Sequence, residues 1–412
     1  MYNSLPIKLK EAIRNIEGDY PFYIFDQTIL QNELVKLKNS FNKYPTQIGY
    51  SYKTNYMYPL VKFLDNNGVF AELVSAFEVE IAERYGIDLR NMILNGPVKS
   101  YESIKKILNA GGLVNADSYD DLNLIKTVCK NLSKNKNVRI GIRIKFDTKD
   151  FDSRFGILIN KNAIKYLKNF LKDLDLKSFS CIHIHFPKRE IEFFEKKIQY
   201  FCMFISSNRE LIDIEKTILD IGGGLPSNMP IEVLKSIGLK KNVDLKEYGF
   251  ILNKYREEFK LTNYKFLIEP GTCLAANCLH LVGNVHSINR SSNKSHINTD
   301  ISKTLLGGIS QKVSFPLEII PKDSKPSQDN FVSGPIYFSG FTCIENDLFG
   351  YSNSGLNIKI RDKIVVKAIG SYSAVFKSPF INGDIRLYSW DGFQLSLKRK
   401  EQTANDLVSK YF

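Results

Sequence analysis

Candidate strands begin near Gln47, Val69, Asn91 and Leu113, each 22 residues after the one before, and this spacing limits what the chain can fold into. One strand, one helix and two short connections use about that much chain, so the run reads as successive βα units with parallel strands. Between them, Ala76 to Tyr85, Ser100 to Ala110 and Ser118 to Cys129 carry helical patterning, and Ser100 and Ser118 stand where an N-cap belongs. Further strands are predicted at Val138 to Ile144, Cys181 to Phe186, Thr217 to Ile221 and Lys265 to Ile268, separated by helical stretches such as Glu190 to Leu211 and Leu245 to Phe259. Eight strands alternating with helices between about residues 47 and 271 predict an α/β fold, a closed (β/α)8 TIM barrel.

After Gly271 the texture changes. Short alternating strands are predicted at Phe315 to Ile319, Ile336 to Ser339, Asn357 to Ile369 and Arg386 to Lys400, which imply a C-terminal all-β, barrel-like domain. The segment Asn289 to Lys303, rich in Ser, Asn and Lys, reads as a mobile loop. At the other end, a helix over Ile7 to Ile16 precedes a strand at Phe22 to Asp26. A long helical segment divides that strand from the next, which points to a different sheet. The expected organisation is a barrel over residues 30–275 and a β domain built from 1–29 and 276–412.

A length of 412 residues suits two such domains, and a 43% hydrophobic, 25% charged composition supplies core for both. The net charge of +13 does not gather in one tract, so no nucleic-acid partner is expected. Cys129, Cys181, Cys202, Cys273, Cys278 and Cys343 form no CxxC pair, which argues against a zinc site or a disulfide framework and fits reduced thiols. The N-terminus has no apolar h-region and no run is long enough to span a membrane, so no membrane association is expected and a cytoplasmic protein is.

Polar groups fall at the carboxyl ends of the predicted barrel strands, the end where such barrels place their chemistry: Lys53, Glu72 with Ser75, Asn95, Asp117 with Ser118, Arg143, His183 with His185, Gly222-Gly223-Gly224 and Glu269. An amine at Lys53, shielded by Tyr50 and Tyr52, can form a Schiff base with a carbonyl cofactor; taken alone, among 57 Lys and Arg, a surface lysine explains it better. The glycine run allows backbone N–H groups to approach a phosphate, or simply makes a tight turn. His183 and His185 share one side of a strand. They offer a flat imidazole for an aromatic cofactor or a core hydrogen bond, and no third metal ligand is evident, so no metal is expected. Glu269, before Pro270-Gly271, could keep a pyridine nitrogen protonated or be a turn residue.

Tyr52-Lys53-Thr54-Asn55, Ser75 with Glu78, Ser153-Arg154-Phe155-Gly156, His183-Ile184-His185, Asp220-Ile221-Gly222-Gly223-Gly224, Glu269-Pro270-Gly271, Cys343-Ile344-Glu345-Asn346-Asp347 and Gly370-Ser371-Tyr372 occur together, in this order. This set resembles the fold-type III pyridoxal-phosphate decarboxylases, the diaminopimelate and ornithine decarboxylases among them, whose barrel is of the alanine racemase type. The resemblance implies pyridoxal 5'-phosphate held by Lys53, with His185 stacked on its ring and Glu269 paired with the ring nitrogen. Gly222, Gly223, Gly224, Gly271 and Tyr372 would lie around the cofactor, and Arg143, Lys188, Thr272 and Asp347 around the substrate. It further implies a homodimer with shared active sites, into which the partner inserts Cys343 and Asp347. Pro187-Lys188 stands where the family has Gly-Ser, and Thr272 where it has Arg, which points away from standard diaminopimelate or ornithine activity. The expected activity is decarboxylation of a diamino or conjugated amino acid. An amino-acid racemase on the same architecture, which would offer the ring nitrogen an arginine, and a non-catalytic pyridoxal-phosphate-binding protein are the alternatives.

Overall fold

The predicted alternation is realised strand by strand. The computed structural model describes residues 4–18, 20–132, 137–226, 228–236, 239–307, 315–323, 330–377 and 380–409. Helix α1 (Ile7–Arg14), β1 (Phe22–Asp26) and α2 (Gln27–Ser40) come first, and β2 (Thr46–Ser51), β3 (Phe70–Leu73), β4 (Met92–Leu94) and β5 (Leu113–Ala116) then follow at the expected period. They are divided by α3 (Tyr58–Asn66), α4 (Ala76–Arg84) and α5 (Tyr101–Ala110), and α6 (Tyr119–Lys130) leads on to β6 (Arg139–Lys145). Next are β7 (Ile157–Leu158), α7 (Lys161–Asp173), β8 (Cys181–His183), α8 (Ile191–Ser207), β9 (Ile218–Asp220), α9 (Ile231–Ser236), α10 (Leu245–Glu258) and β10 (Lys265–Ile268). Parallel pairing runs from β2 through β3, β4, β5, β6, β8, β9 and β10, and β10 pairs back onto β2, so the ring closes. The short β7 pairs with the end of β6.

Side chains two apart on a strand share a face, and that rule stacks the barrel interior in levels. Ile93, Leu113, Cys181, Ile218 and Leu267 pack together as an apolar level with Phe70 against it. Two residues further along the same strands stand Glu72, Asn95, Asn115, His183, Asp220 and Glu269, all buried. The polar level therefore rests on an apolar floor. Outside the ring, Ser75, Ser100 and Ser118 cap α4, α5 and α6 by accepting from the N–H groups of Glu78, Ser103 and Asp121.

The chain divides into two units, Val35–Ser227 with Val243–Thr272, which holds the barrel, and Met1–Leu34 with Asn228–Asn242 and Cys273–Phe412. In the second, β11 (Leu279–Arg290), β12 (Ser295–Thr299), β13 (Leu317–Ile320), β14 (Phe331–Val332), β15 (Ile336–Ser339), β16 (Leu348–Ser352), β17 (Leu356–Asn357), β18 (Lys363–Val366), β19 (Arg386–Trp390) and β20 (Leu395–Arg399) follow one another. Most of them form a mixed sheet of order β16-β15-β12-β11-β1-β19-β20, with β18 linking β11 to β13. The N-terminal β1 lies inside this sheet, antiparallel to β11 and parallel to β19, as its separation from β2 suggested. Leu9, Ile13, Ile24, Val282, Val365 and Trp390 are among its core residues. No helix among the described residues is long and apolar enough to cross a membrane.

The segment expected as a mobile loop, Asn289 to Lys303, instead carries the end of β11 and the whole of β12. Its polar residues pair across the sheet: Asn298 Nδ2 donates to Ser287 Oγ at 2.9 Å, and Thr299 Oγ1 to the Ser339 carbonyl at 3.2 Å. Ser295, Ile297 and Thr299 are buried in alternation, a period-2 pattern that composition concealed. Conversely, the single strand expected over Asn357 to Ile369 is broken at Arg361, whose φ of +73° is left-handed and cannot continue a ladder.

Candidate active site

Lys53 follows β2 in a 3-10 turn, Tyr52–Thr54. Its Nζ donates to Glu72 Oε2 at 3.0 Å, and although the Glu72 side chain is 1% exposed, that of Lys53 is 39% exposed. A buried carboxylate thus steers an amine that remains reachable. The Ser51 hydroxyl donates to the same oxygen. Asn95 Nδ2 bridges two acids, at 3.1 Å to Glu72 Oε1 and 2.6 Å to Glu269 Oε1, and Asn95 Oδ1 accepts from Asn115 Nδ2 at 2.8 Å. Since carboxylates only accept, this chain of contacts fixes the Asn95 amide with its nitrogen toward Glu72 and Glu269.

Asp220 and Glu269 are buried on neighbouring strands, and two such acids cannot both ionise cheaply. Burial, reinforced by the charge of Glu269, pushes the Asp220 carboxyl well above the usual range, so it keeps its proton. Burial also opposes ionisation of Glu269. Against it act the His183 imidazole, 3.4 Å away, and the Lys53 ammonium, which hold Glu269 below the usual carboxylate range. One of the pair is neutral and the other charged. The sequence offered no third ligand beside the two histidines, but the fold brings His183, Asp220 and Glu269 together, with their ligand atoms within 4.8 Å of one another; in this arrangement Asp220 holds the proton and Glu269 the charge.

Gly223 N–H donates to His185 Nδ1 at 3.1 Å. Burial, with the charges of Arg143 and Lys53, pushes the His185 pKa well down. The ring is therefore neutral, with its proton on Nε2. It lies 6.5 Å from the His183 ring at 26°, so the two histidines do share a side, although strand pairing ends at His183. Arg143 reaches the site but its contacts are internal: Nη2 donates to the His185 carbonyl at 2.8 Å and Nη1 meets Asp117 Oδ1 at 3.3 Å.

The glycine turn fits tightly. Gly222 has φ +66°, and a Cβ there would come 2.6 Å from the Ile184 carbonyl; on Gly223 it would come 2.5 Å from that of Glu269. The Gly222 and Gly223 N–H groups are occupied, by Asp220 Oδ1 and His185 Nδ1. Among the described residues nothing accepts from the N–H groups of Gly224 and Leu225, which leaves two donors for an anion.

Residues 29–276 match the family model described as pyridoxal-dependent decarboxylase, pyridoxal binding domain. The chain belongs to this family. A diaminopimelate decarboxylase of Methanocaldococcus jannaschii is 22% identical over 410 residues, 95% of this chain and 90% of the relative. An L-glutamyl-[BtrI acyl-carrier protein] decarboxylase of Niallia circulans is also 22% identical, over 94% of this chain and 93% of its own. Among solved structures, diaminopimelate decarboxylase of Helicobacter pylori with L-lysine superposes with a TM-score of 0.80 at 20% identity, over 98% of this chain and 99% of that one.

Pyridoxal phosphate is the cofactor of these decarboxylases, and the barrel mouth fits its needs. It offers an accessible amine, a neutral flat imidazole, a charged carboxylate and unspent N–H donors on a turn that only glycine fills. Around this decarboxylase's site, Gly271 follows Pro270, whose carbonyl accepts from Ser51 N–H at 3.1 Å, and Thr272 is buried. Lys188 is exposed, and its carbonyl lies 3.4 Å from where a Cβ on Gly224 would be.

Cys343, Asp347 and Tyr372 belong to the other unit. Cys343 is exposed. Asp347 is buried with both oxygens taken within its surroundings: Oδ1 accepts from Lys303 N–H at 2.9 Å, and Oδ2 from Thr342 Oγ1 at 2.6 Å and Thr342 N–H at 3.3 Å. It shapes the loop that presents Cys343. Tyr372 has φ +58°, a left-handed conformation uncommon for a bulky residue. Sequence reasoning missed Asn115, which orients Asn95, and the proton on Asp220. Asn115 was open to discovery, because it stands two residues beyond the inward-facing Leu113.

Proposed function

We propose that this decarboxylase acts on a diamino or conjugated amino acid, with Lys53 holding pyridoxal phosphate, His185 against its ring and Glu269 at its ring nitrogen. The observation that carries the reading is Glu269, which accepts from Asn95 and faces His183 on the level of Glu72, the carboxylate that holds the Lys53 amine. When bound, pyridoxal phosphate supplies an electron sink for the charge that departing CO2 leaves on the α-carbon. Glu269 contributes a fixed negative charge where the sink needs a proton held, and neutral Asp220 does not compete for it. A racemase would place a cation there instead. The neutral His185 adds no charge over the ring, Gly224 and Leu225 offer N–H donors to the phosphate, and Glu72 steers the Lys53 amine.

The substrate follows from what surrounds this core. Thr272 removes a bidentate guanidinium, and Lys188 supplies only a point charge, so a free diaminopimelate would lack its usual anion clamp. The named relatives act on either a free diamino acid or a carrier-bound glutamyl group, and both lie within the class proposed. We further assign the protein to a homodimer whose partner contributes Cys343 from the loop shaped by Asp347, and to the cytoplasm, which suits six unpaired cysteines. A screen of diamino and conjugated amino acids, reading CO2 release against loss of optical rotation, tests this. Expected are CO2 from one member of the class, weak turnover of meso-diaminopimelate, and a colourless, inactive Lys53→Ala. Racemisation without CO2, or vigorous turnover of meso-diaminopimelate, overturns the respective part.

A further inference from the structure

Lys197 sits on α8 among Phe193, Phe194, Ile198 and Phe201, all buried, at a position where packing alone calls for Leu or Met. Its side chain is 2% exposed. Nζ donates to the carbonyl of Ile221 at 2.9 Å and lies 4.9 Å from the centre of the Phe194 ring. Among the described residues no carboxylate pairs with it. An ammonium removed from water without a counter-ion is disfavoured. Burial accordingly pulls its pKa down to about 8, opposed only by the charges of Asp220 and Glu269, of which Asp220 is protonated.

The carbonyl that Lys197 holds belongs to the residue before the glycine turn, the turn whose Gly224 and Leu225 N–H groups are unspent. We propose that Lys197 is the buried charge that tightens binding of the cofactor's phosphate at this turn, a positioning residue that acts through the Ile221–Leu225 backbone. A dianion seated on those N–H groups supplies the counter-charge the buried ammonium lacks. By linkage each then stabilises the other. Lys188 flanks the same turn, but its ammonium is exposed and screened. The inference rests on the reading that the phosphate occupies the glycine turn.

The test titrates the apo protein with pyridoxal 5'-phosphate and, separately, with pyridoxal, which forms the same bond to Lys53 and lacks the phosphate. Lys197→Met keeps the apolar stem; Lys197→Gln keeps a donor for the Ile221 carbonyl and loses only the charge. Thermal melts of the apo forms check that each variant folds. Both variants should weaken pyridoxal 5'-phosphate by roughly 10-fold to 100-fold and pyridoxal by less than about threefold. Inorganic phosphate should compete with pyridoxal 5'-phosphate in the wild type and only weakly in the variants. Equal weakening of both ligands means that Lys197 merely supports the turn, and full affinity in Lys197→Gln means that the donor matters and the charge does not; either overturns the proposal, as does wild-type affinity in both variants. A wild type that takes up neither ligand overturns the cofactor-site reading itself.

Discussion

Glu269 and Asp220 share one level of the barrel and hold opposite protonation states: the His183 imidazole and the Lys53 ammonium lower Glu269, while burial and the charge of Glu269 raise Asp220. Glu269→Gln preserves size and packing while removing that charge. Cofactor should still bind, seen as retained colour, while kcat falls by about 10²-fold or more; a loss within threefold would mean the ring nitrogen needs no anion from this chain. At this scale much was legible. Lys53, Glu72, Asn95, His185 and Glu269 were found because a strand end in a βα barrel is a defined place. What the sequence could not reveal was employment: that Arg143 is taken up by Asp117 and the His185 carbonyl, or that two of three glycine N–H groups are spent within the site. Such partners come from strands far apart in the chain.

Helix α4 shows the same division between what local patterning settles and what packing adds. Ser75 caps it through Glu78 N–H, and Glu78 Oε2 in turn accepts from Val74 N–H at 2.7 Å. Burial raises the Glu78 carboxyl to about 7 against that hydrogen bond. Its folded pKa is thus above the unfolded value, so the protonated form is favoured in the fold. That stabilisation is complete below about pH 4.5 and is lost as pH climbs to about 7, on the order of 3 kcal/mol in all. Glu78→Gln stays neutral and keeps an oxygen for Val74. Its urea midpoint should therefore fall less than the wild type's between pH 5 and pH 8; parallel curves would rule out a raised Glu78. The caps at Ser100 and Ser118 were readable because a cap is a local event, and the one at Ser75, read only as a polar strand-end residue, is of the same kind. β12 was not readable, since its serine, histidine and asparagine are strand-like only through partners on β11 and β15.

Across the whole molecule the barrel was the most legible part, because closure follows from repeating one local unit, whereas the mixed sheet gathers strands from both ends of the chain. β1 pairs with β11 and β19, contacts no local pattern encodes, and the excursion Asn228–Asn242 into the second unit carries no compositional mark. The second unit also holds Cys343, exposed on a loop that Asp347 organises from beneath. The proposed role for that exposed thiol is in the partner's site. A two-fold contact would use the same patch twice, bringing each Cys343 to the partner's Lys53 and making two equivalent sites. There the thiol would return a proton to the α-carbon after CO2 leaves, a task for an acid fixed on one face. In such a dimer Lys53→Ala and Cys343→Ala would each disable both sites of their own homodimer. In a mixed dimer one site collects both lesions and the other collects neither. Mixing the two inactive proteins under conditions of subunit exchange should therefore restore about a quarter of wild-type activity, since random exchange makes half the dimers mixed and each carries one intact site of two. Native mass spectrometry of differently tagged subunits would confirm exchange. If mixed dimers form and no activity returns, each site is completed by its own chain and Cys343 acts, if at all, within one subunit.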